Sequence, residues 1–98
     1  MSRRIYLLSA AVDDITQAVQ YYNSQKEHLG ERFLDELEKL FDILVAFPEI
    51  FPLKRKNYRE AVMKKFPYIV VYGIDKDKIL IYAVFHTHRS PDKKPQNP

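Results

Sequence analysis

Residues 69–85, IVVYGIDKDKILIYAVF, decide the fold. Ile69 to Ile74 and Ile79 to Phe85 are dense in β-branched and aromatic residues, the composition of strands. Asp75-Lys76-Asp77-Lys78 between them is short and polar, so the two runs are expected to pair as a β-hairpin. Tyr58 to Met63 reads as a further strand ahead of the hairpin. Upstream the period changes. Phe33, Leu37, Leu40 and Leu44 form one helical stripe, widened by Leu34, Phe41 and Val45, with acidic and basic residues on the opposite face. Phe47-Pro48 ends that helix, because proline cannot continue the ladder. Val12, Ile15, Val19 and Tyr22 recur at helical spacing in an earlier helix that starts near Ala10. Ser9 is expected to cap it, and Gly30 to mark the corner between the two helices. Arg3 to Leu8 reads as a first strand. The order is β-α-α-β-β-β, and its α+β solution packs a helical hairpin on one face of a mainly antiparallel sheet.

The 98 residues suit one domain, 1–98, with a loose C-terminal tail from about residue 90. A chain of this size buries a limited share of its surface, so modest stability and help from a partner are expected. The absence of cysteine excludes disulfides and thiolate chemistry and fits a reducing cytoplasm. Arg3-Arg4 before Ile5 to Leu8 looks faintly like a secretory leader. The apolar run is too short and Asp13-Asp14 follow too soon, so the segment reads as structure. No stretch approaches the apolar length that spans a bilayer.

Charge is divided. Residues 1–50 carry 5 basic and 9 acidic side chains, whereas residues 51–98 carry 11 basic and 4 acidic. The densest part holds Lys54, Arg55, Lys56, Arg59, Lys64 and Lys65 against Glu60 alone. Such a cluster suits a nucleic acid or an acidic protein, and also a merely solvated surface. Tyr58, Tyr68, Tyr72 and Tyr82 are expected in the core or on a sheet face, with base stacking as the alternative.

No Gly-rich phosphate loop and no nucleophile elbow are present. The chemistry-bearing end is His86-Thr87-His88-Arg89-Ser90-Pro91. Metal-free RNA cleavage needs a base for the 2′-OH, cations for the crowded phosphorane and an acid for the 5′-oxygen. His86 or His88 would serve as acid or base, and Arg59, Arg89, Lys64 or Lys65 as phosphate ligands. Equally, His86 continues the alternation Tyr82, Val84, His86 and would then simply pack at the sheet edge. His86 and His88 share one strand face and would need a third ligand such as Asp92 to hold a metal, so no metal site and no cofactor are assigned. Lys54-Arg55-Lys56 would grip a phosphate backbone or an acidic partner.

The ordered set Leu8-Ser9, Asp14-Ile15, Tyr21-Tyr22, Leu29-Gly30, Arg32-Phe33, Glu36-Leu37, Pro48, Arg59, Phe66-Pro67-Tyr68, Ile69 to Tyr72, Ile79 to His86, Arg89 and Pro91 resembles the ParE/RelE superfamily of bacterial type II toxins, over about residues 3 to 92. The resemblance implies a cytoplasmic toxin of a plasmid stabilisation module that arrests growth and is held by a cognate antitoxin in a hetero-oligomer. It leaves the target open. RelE-like members are mRNA endoribonucleases on the ribosome, and ParE-like members are associated with DNA gyrase without cleaving RNA. A third alternative is a degenerate toxin that only binds its antitoxin. Within the resemblance, Arg59 matches an arginine on the second strand and Arg89 a late arginine. The late tyrosine of many RNA-cleaving members has no counterpart, since no Tyr follows Tyr82, and His86 would take its place.

Overall fold

In a computed structural model, residues 3–88 are described. Arg89, Pro91, Asp92 and the tail expected from residue 90 lie outside them. Strand β1 (Arg4–Leu7) runs into helix α1 (Ser9–Gln25), and α2 (Leu29–Ala46) follows after three residues. Then come β2 (Arg59–Val62), β3 (Tyr68–Asp75) and β4 (Lys78–His86). The element order and the α+β class are those expected from the hydrophobic periods.

The helix ends correct two expectations. Leu8, extended and without a side-chain cap, stands where Ser9 was expected, and Ser9 is already helical. The cause is the sheet. The Leu8 N–H donates to the Ile81 carbonyl at 3.1 Å, so the strand hands over to the helix without a separate cap, and the Val12 N–H reaches back to the Leu8 carbonyl at 3.0 Å. The corner turns at His28, in the left-handed region with φ 66, whereas Gly30 lies inside α2. Gly30 is needed for approach and not for turning. A Cβ there would sit 2.7 Å from the Val19 carbonyl oxygen and 2.8 Å from Asn23 Oδ1. The Gly30 N–H donates to that same Asn23 Oδ1 at 2.8 Å, so α1 supplies the cap that the sequence of α2 lacks.

Ala11 and Ala18 carry the buried stripe of α1, and the expected Val12 is exposed. Small residues there bring the helix close to the sheet. Phe33, Leu37, Leu40 and Leu44 of α2 are buried as their spacing dictates. The sheet order is β1-β4-β3-β2, with β1 parallel to β4 and the remaining pairs antiparallel. The hairpin loop is tighter than expected, because Asp75 pairs with Lys78 and only Lys76, with φ 59, and Asp77 lie between.

One register shift reorganises the sheet. Val71 pairs with Ala83 and Tyr72 with Ile81, so Tyr82 is an extra residue in β4, a bulge. Ile79 and Ile81 before it and Val84 after it belong to the core beneath the helices. The expected face shared by Tyr82, Val84 and His86 is therefore broken. Tyr82 points away from the helices, while His86, opposite Tyr68 in the ladder, follows Val84. The Val84 N–H next to the bulge donates to Asp14 Oδ2 of α1 at 2.9 Å.

Candidate functional site

The basic loop is a built structure. Leu53 bridges to Arg59, and the Lys54 N–H donates to the Tyr58 carbonyl at 2.9 Å, closing a tight reversal that exposes Lys54, Arg55 and Lys56. Tyr58, just beyond it, meets the bulged Tyr82 with ring centroids 5.0 Å apart. With Lys54, Arg55, Val71 and Phe85 these rings line a cavity of about 170 Å³ on the sheet face away from the helices. Gly73 makes room for it: a Cβ there would stand 2.9 Å from the Tyr82 ring. Tyr68 and Tyr72, by contrast, are core residues.

Arg59 lies on the opposite, helix-side face, opposite Tyr72. Its Nη1 donates to the Phe51 carbonyl at 2.6 Å and to the Glu49 carbonyl at 3.4 Å. The buried Tyr72 hydroxyl donates to the Pro48 carbonyl at 2.6 Å. Together they fasten the segment after α2, whose carbonyls no helix or strand satisfies. Burial raises the Tyr72 phenol above its ordinary pKa, against the opposing pull of the Arg59 charge.

Lys64 and Lys65 occupy the β2–β3 turn, with Lys65 at φ 72. Lys65 Nζ lies 3.5 Å from Glu36 Oε2 of α2, and Lys39 Nζ lies 3.3 Å from the same oxygen. Partial burial pushes the Glu36 carboxyl upward, but the hydrogen bond and charge of Lys39 and the charge of Lys65 outweigh it and hold the carboxyl below its usual value.

His86 packs edge-on to Tyr68 with centroids 5.2 Å apart. Its Nδ1 accepts the His88 N–H at 2.9 Å, which puts the proton of the neutral ring on Nε2. The Thr87 N–H donates to the Pro67 carbonyl at 2.9 Å, so this end of β4 lies beside the Lys64-Lys65 turn. The expected set therefore divides. His86, His88, Lys64 and Lys65 share one end of the sheet. Arg59 belongs to the other, two strands across and four residues along from His86, about 17 Å by strand geometry. Among the described residues no group of three or more His, Cys, Asp or Glu is arranged to hold a metal ion, and no helix is long and apolar enough to cross a membrane.

The family model for the ParE toxin of the type II toxin–antitoxin system, parDE, matches residues 5–91. The chain belongs to the ParE toxin family. No curated protein matches this ParE-family chain. Among solved structures it is similar to a chain of the chromosomal ParDE toxin–antitoxin system from P. aeruginosa, with TM-score 0.75 and 10% identity over 86% of this chain and 95% of that one. It is also similar to a chain of the E. coli DinJ-YafQ toxin–antitoxin complex, with TM-score 0.61 and 16% identity over 88% of this chain and 93% of that one. At such identities the likeness is one of fold. The α+β architecture of this ParE-family toxin, two helices on a mixed sheet of four strands, is thus shared with both. Reading the sequence missed the Tyr58–Tyr82 cavity. The signal was present as Gly73, the one glycine inside a strand, which often marks a bulge or a close approach.

Proposed function

We propose that this ParE-family toxin arrests growth by binding and blocking a protein, DNA gyrase, and that a cognate antitoxin neutralises it in a cytoplasmic hetero-oligomer. The observation that carries the choice is Arg59. RNA cleavage needs cations converging with a proton-transfer group on one phosphate, and the Arg59 guanidinium is engaged by the Phe51 and Glu49 carbonyls at the other end of the sheet from His86. Occupying a target surface requires no such convergence. The test is purified toxin added to gyrase in a supercoiling assay, alongside mRNA integrity in the first minutes after induction in cells. Blocked supercoiling with intact mRNA is expected. Rapid mRNA cleavage abolished by His86→Ala overturns the reading.

One observation favours the second reading, an mRNA endoribonuclease. His86, with its proton on Nε2, lies at the same end of the sheet as Lys64 and Lys65. In that case His86 is the acid, the two lysines and Arg89 hold the phosphate, and Arg59 keeps the loop in place.

A further inference from the structure

Strands β3 and β4 are apolar without alternation: YIVVYGI over residues 68–74 and ILIYAVF over 79–85. An antiparallel sheet with one wet face alternates polar with apolar, and continuous apolar runs belong to strands covered on both faces. Here the helices cover one face. On the other, Tyr6 remains 40% exposed and Tyr58 42%. The register places Tyr6 and Gly73 on either side of Leu80 on that same face. Lys54 and Arg55 border it on one side, and Arg4 and Lys78, paired in register, on the other, with Lys78 Nζ 5.6 Å from the Tyr6 ring centre. Glu60 is the carboxylate within the cavity lining.

We infer that this face is the target-gripping surface of the toxin, and that its occupant is an acidic protein surface inserting one apolar or aromatic side chain into the cavity beside the Tyr58–Tyr82 ring pair, beneath Lys54 and Arg55. The inference rests on the protein-target reading above. Three local features build the slot: the bulge leaves Tyr82 as an extra residue without a ladder partner on the open face, Gly73 lets its ring lie on the sheet, and the closed 54–58 reversal brings Tyr58 against it. A cavity of about 170 Å³ is the size of one large side chain. Tyrosine and arginine around a desolvated pocket are the composition of interface hot spots. The cations at both borders choose an acidic partner, by charge complementarity.

The test compares the full-length wild type with Tyr82→Ser, Tyr58→Ser and the double reversal Lys54→Glu/Arg55→Glu. The charge reversal touches only exposed side chains, so it keeps the fold if a tyrosine variant does not; thermal melting checks this. Growth arrest on induction and gyrase inhibition are expected to need at least about tenfold more toxin in each folded variant. Folded variants that remain fully toxic overturn the inference. So does a wild type that leaves growth untouched, which also ends the gyrase reading. Variants that keep toxicity but escape the antitoxin assign the face to the antitoxin instead. A labelled single-stranded RNA decamer bound by the wild type and released by Tyr82→Ser makes it an RNA surface. A wild-type dimer in sedimentation that dissociates with Tyr82→Ser makes it a contact between copies. Loss of growth arrest in the variants, with wild-type toxin inert on gyrase, keeps the face and discards gyrase. Gyrase inhibition equal in wild type and variants does the reverse.

Discussion

Arg59→Met separates a fastening role from a catalytic one. Methionine keeps an apolar stem of similar length and loses the guanidinium. The charged donor to the half-buried Phe51 carbonyl, at 2.6 Å, is lost outright. A hydrogen bond to a charged group contributes about 1.5–3 kcal/mol. The exposed contact to the Glu49 carbonyl, at 3.4 Å, adds little. A loss of about 2 kcal/mol lowers Tm by roughly 8–16 °C in a domain of this length. Circular dichroism melts of wild type, Arg59→Met and Arg59→Lys give the comparison. Lysine restores the charge with a single donor and no planar fork, so it is expected to fall between the two. Toxicity measured at a temperature where the variant is folded should match wild type. An Arg59→Met variant that melts within about 2 °C of wild type refutes the fastening role, because so small a shift is worth well under 1 kcal/mol. A stable variant that has lost toxicity refutes the placement of Arg59 outside the working surface.

Gly30→Ala should destabilise by about 1–3 kcal/mol despite the better helix propensity of alanine, because its Cβ meets the backbone carbonyl of Val19 at 2.7 Å and cannot push it aside; a urea melt measures it. Tyr72→Phe leaves the buried Pro48 carbonyl without its 2.6 Å donor and should cost about 1–2 kcal/mol in the same assay. The raised Tyr72 pKa means that its contribution is whole below the ordinary value of 10.0 and is lost as pH rises through the folded value, so Tyr72→Phe should also flatten the alkaline limb of a stability–pH curve. Glu36 behaves oppositely. Its folded pKa is lowered, so its stabilisation is present above the ordinary value of 4.5 and disappears as pH falls through the folded one. Glu36→Gln should remove that part of the acid limb, and added salt should weaken it in the wild type, since Lys39 and Lys65 lie near the surface.

The elements, their order and the helix-side core of α2 were legible from residue order and spacing alone. Phe33, Leu37, Leu40 and Leu44 have one periodicity, and burying a stripe at that spacing admits one helical face. The same holds for the hairpin, where two β-rich runs flank the polar stretch Asp75 to Lys78, although only the structure showed that Asp75 and Lys78 pair. The composition also placed the charge of the second half, since every cation in the exposed 54–56 loop is visible as a residue type. Which cations work together depends on contacts between distant parts of the chain. Arg59 and Lys65 read as equals in sequence, yet one meets the carbonyls of Phe51 and Glu49 and the other meets Glu36, partners that lie 8 to 29 residues away along the chain. The bulge at Tyr82 was equally beyond local reading. Side-chain alternation has a period of two, and one extra residue reverses every face after it. That reversal carried Val84 and His86 onto the helix-side face and left Tyr82 on the open sheet beside Tyr58. Periodicity is a property of neighbours in the chain, whereas a site is made of neighbours in space, and a single shift in strand register separates the two.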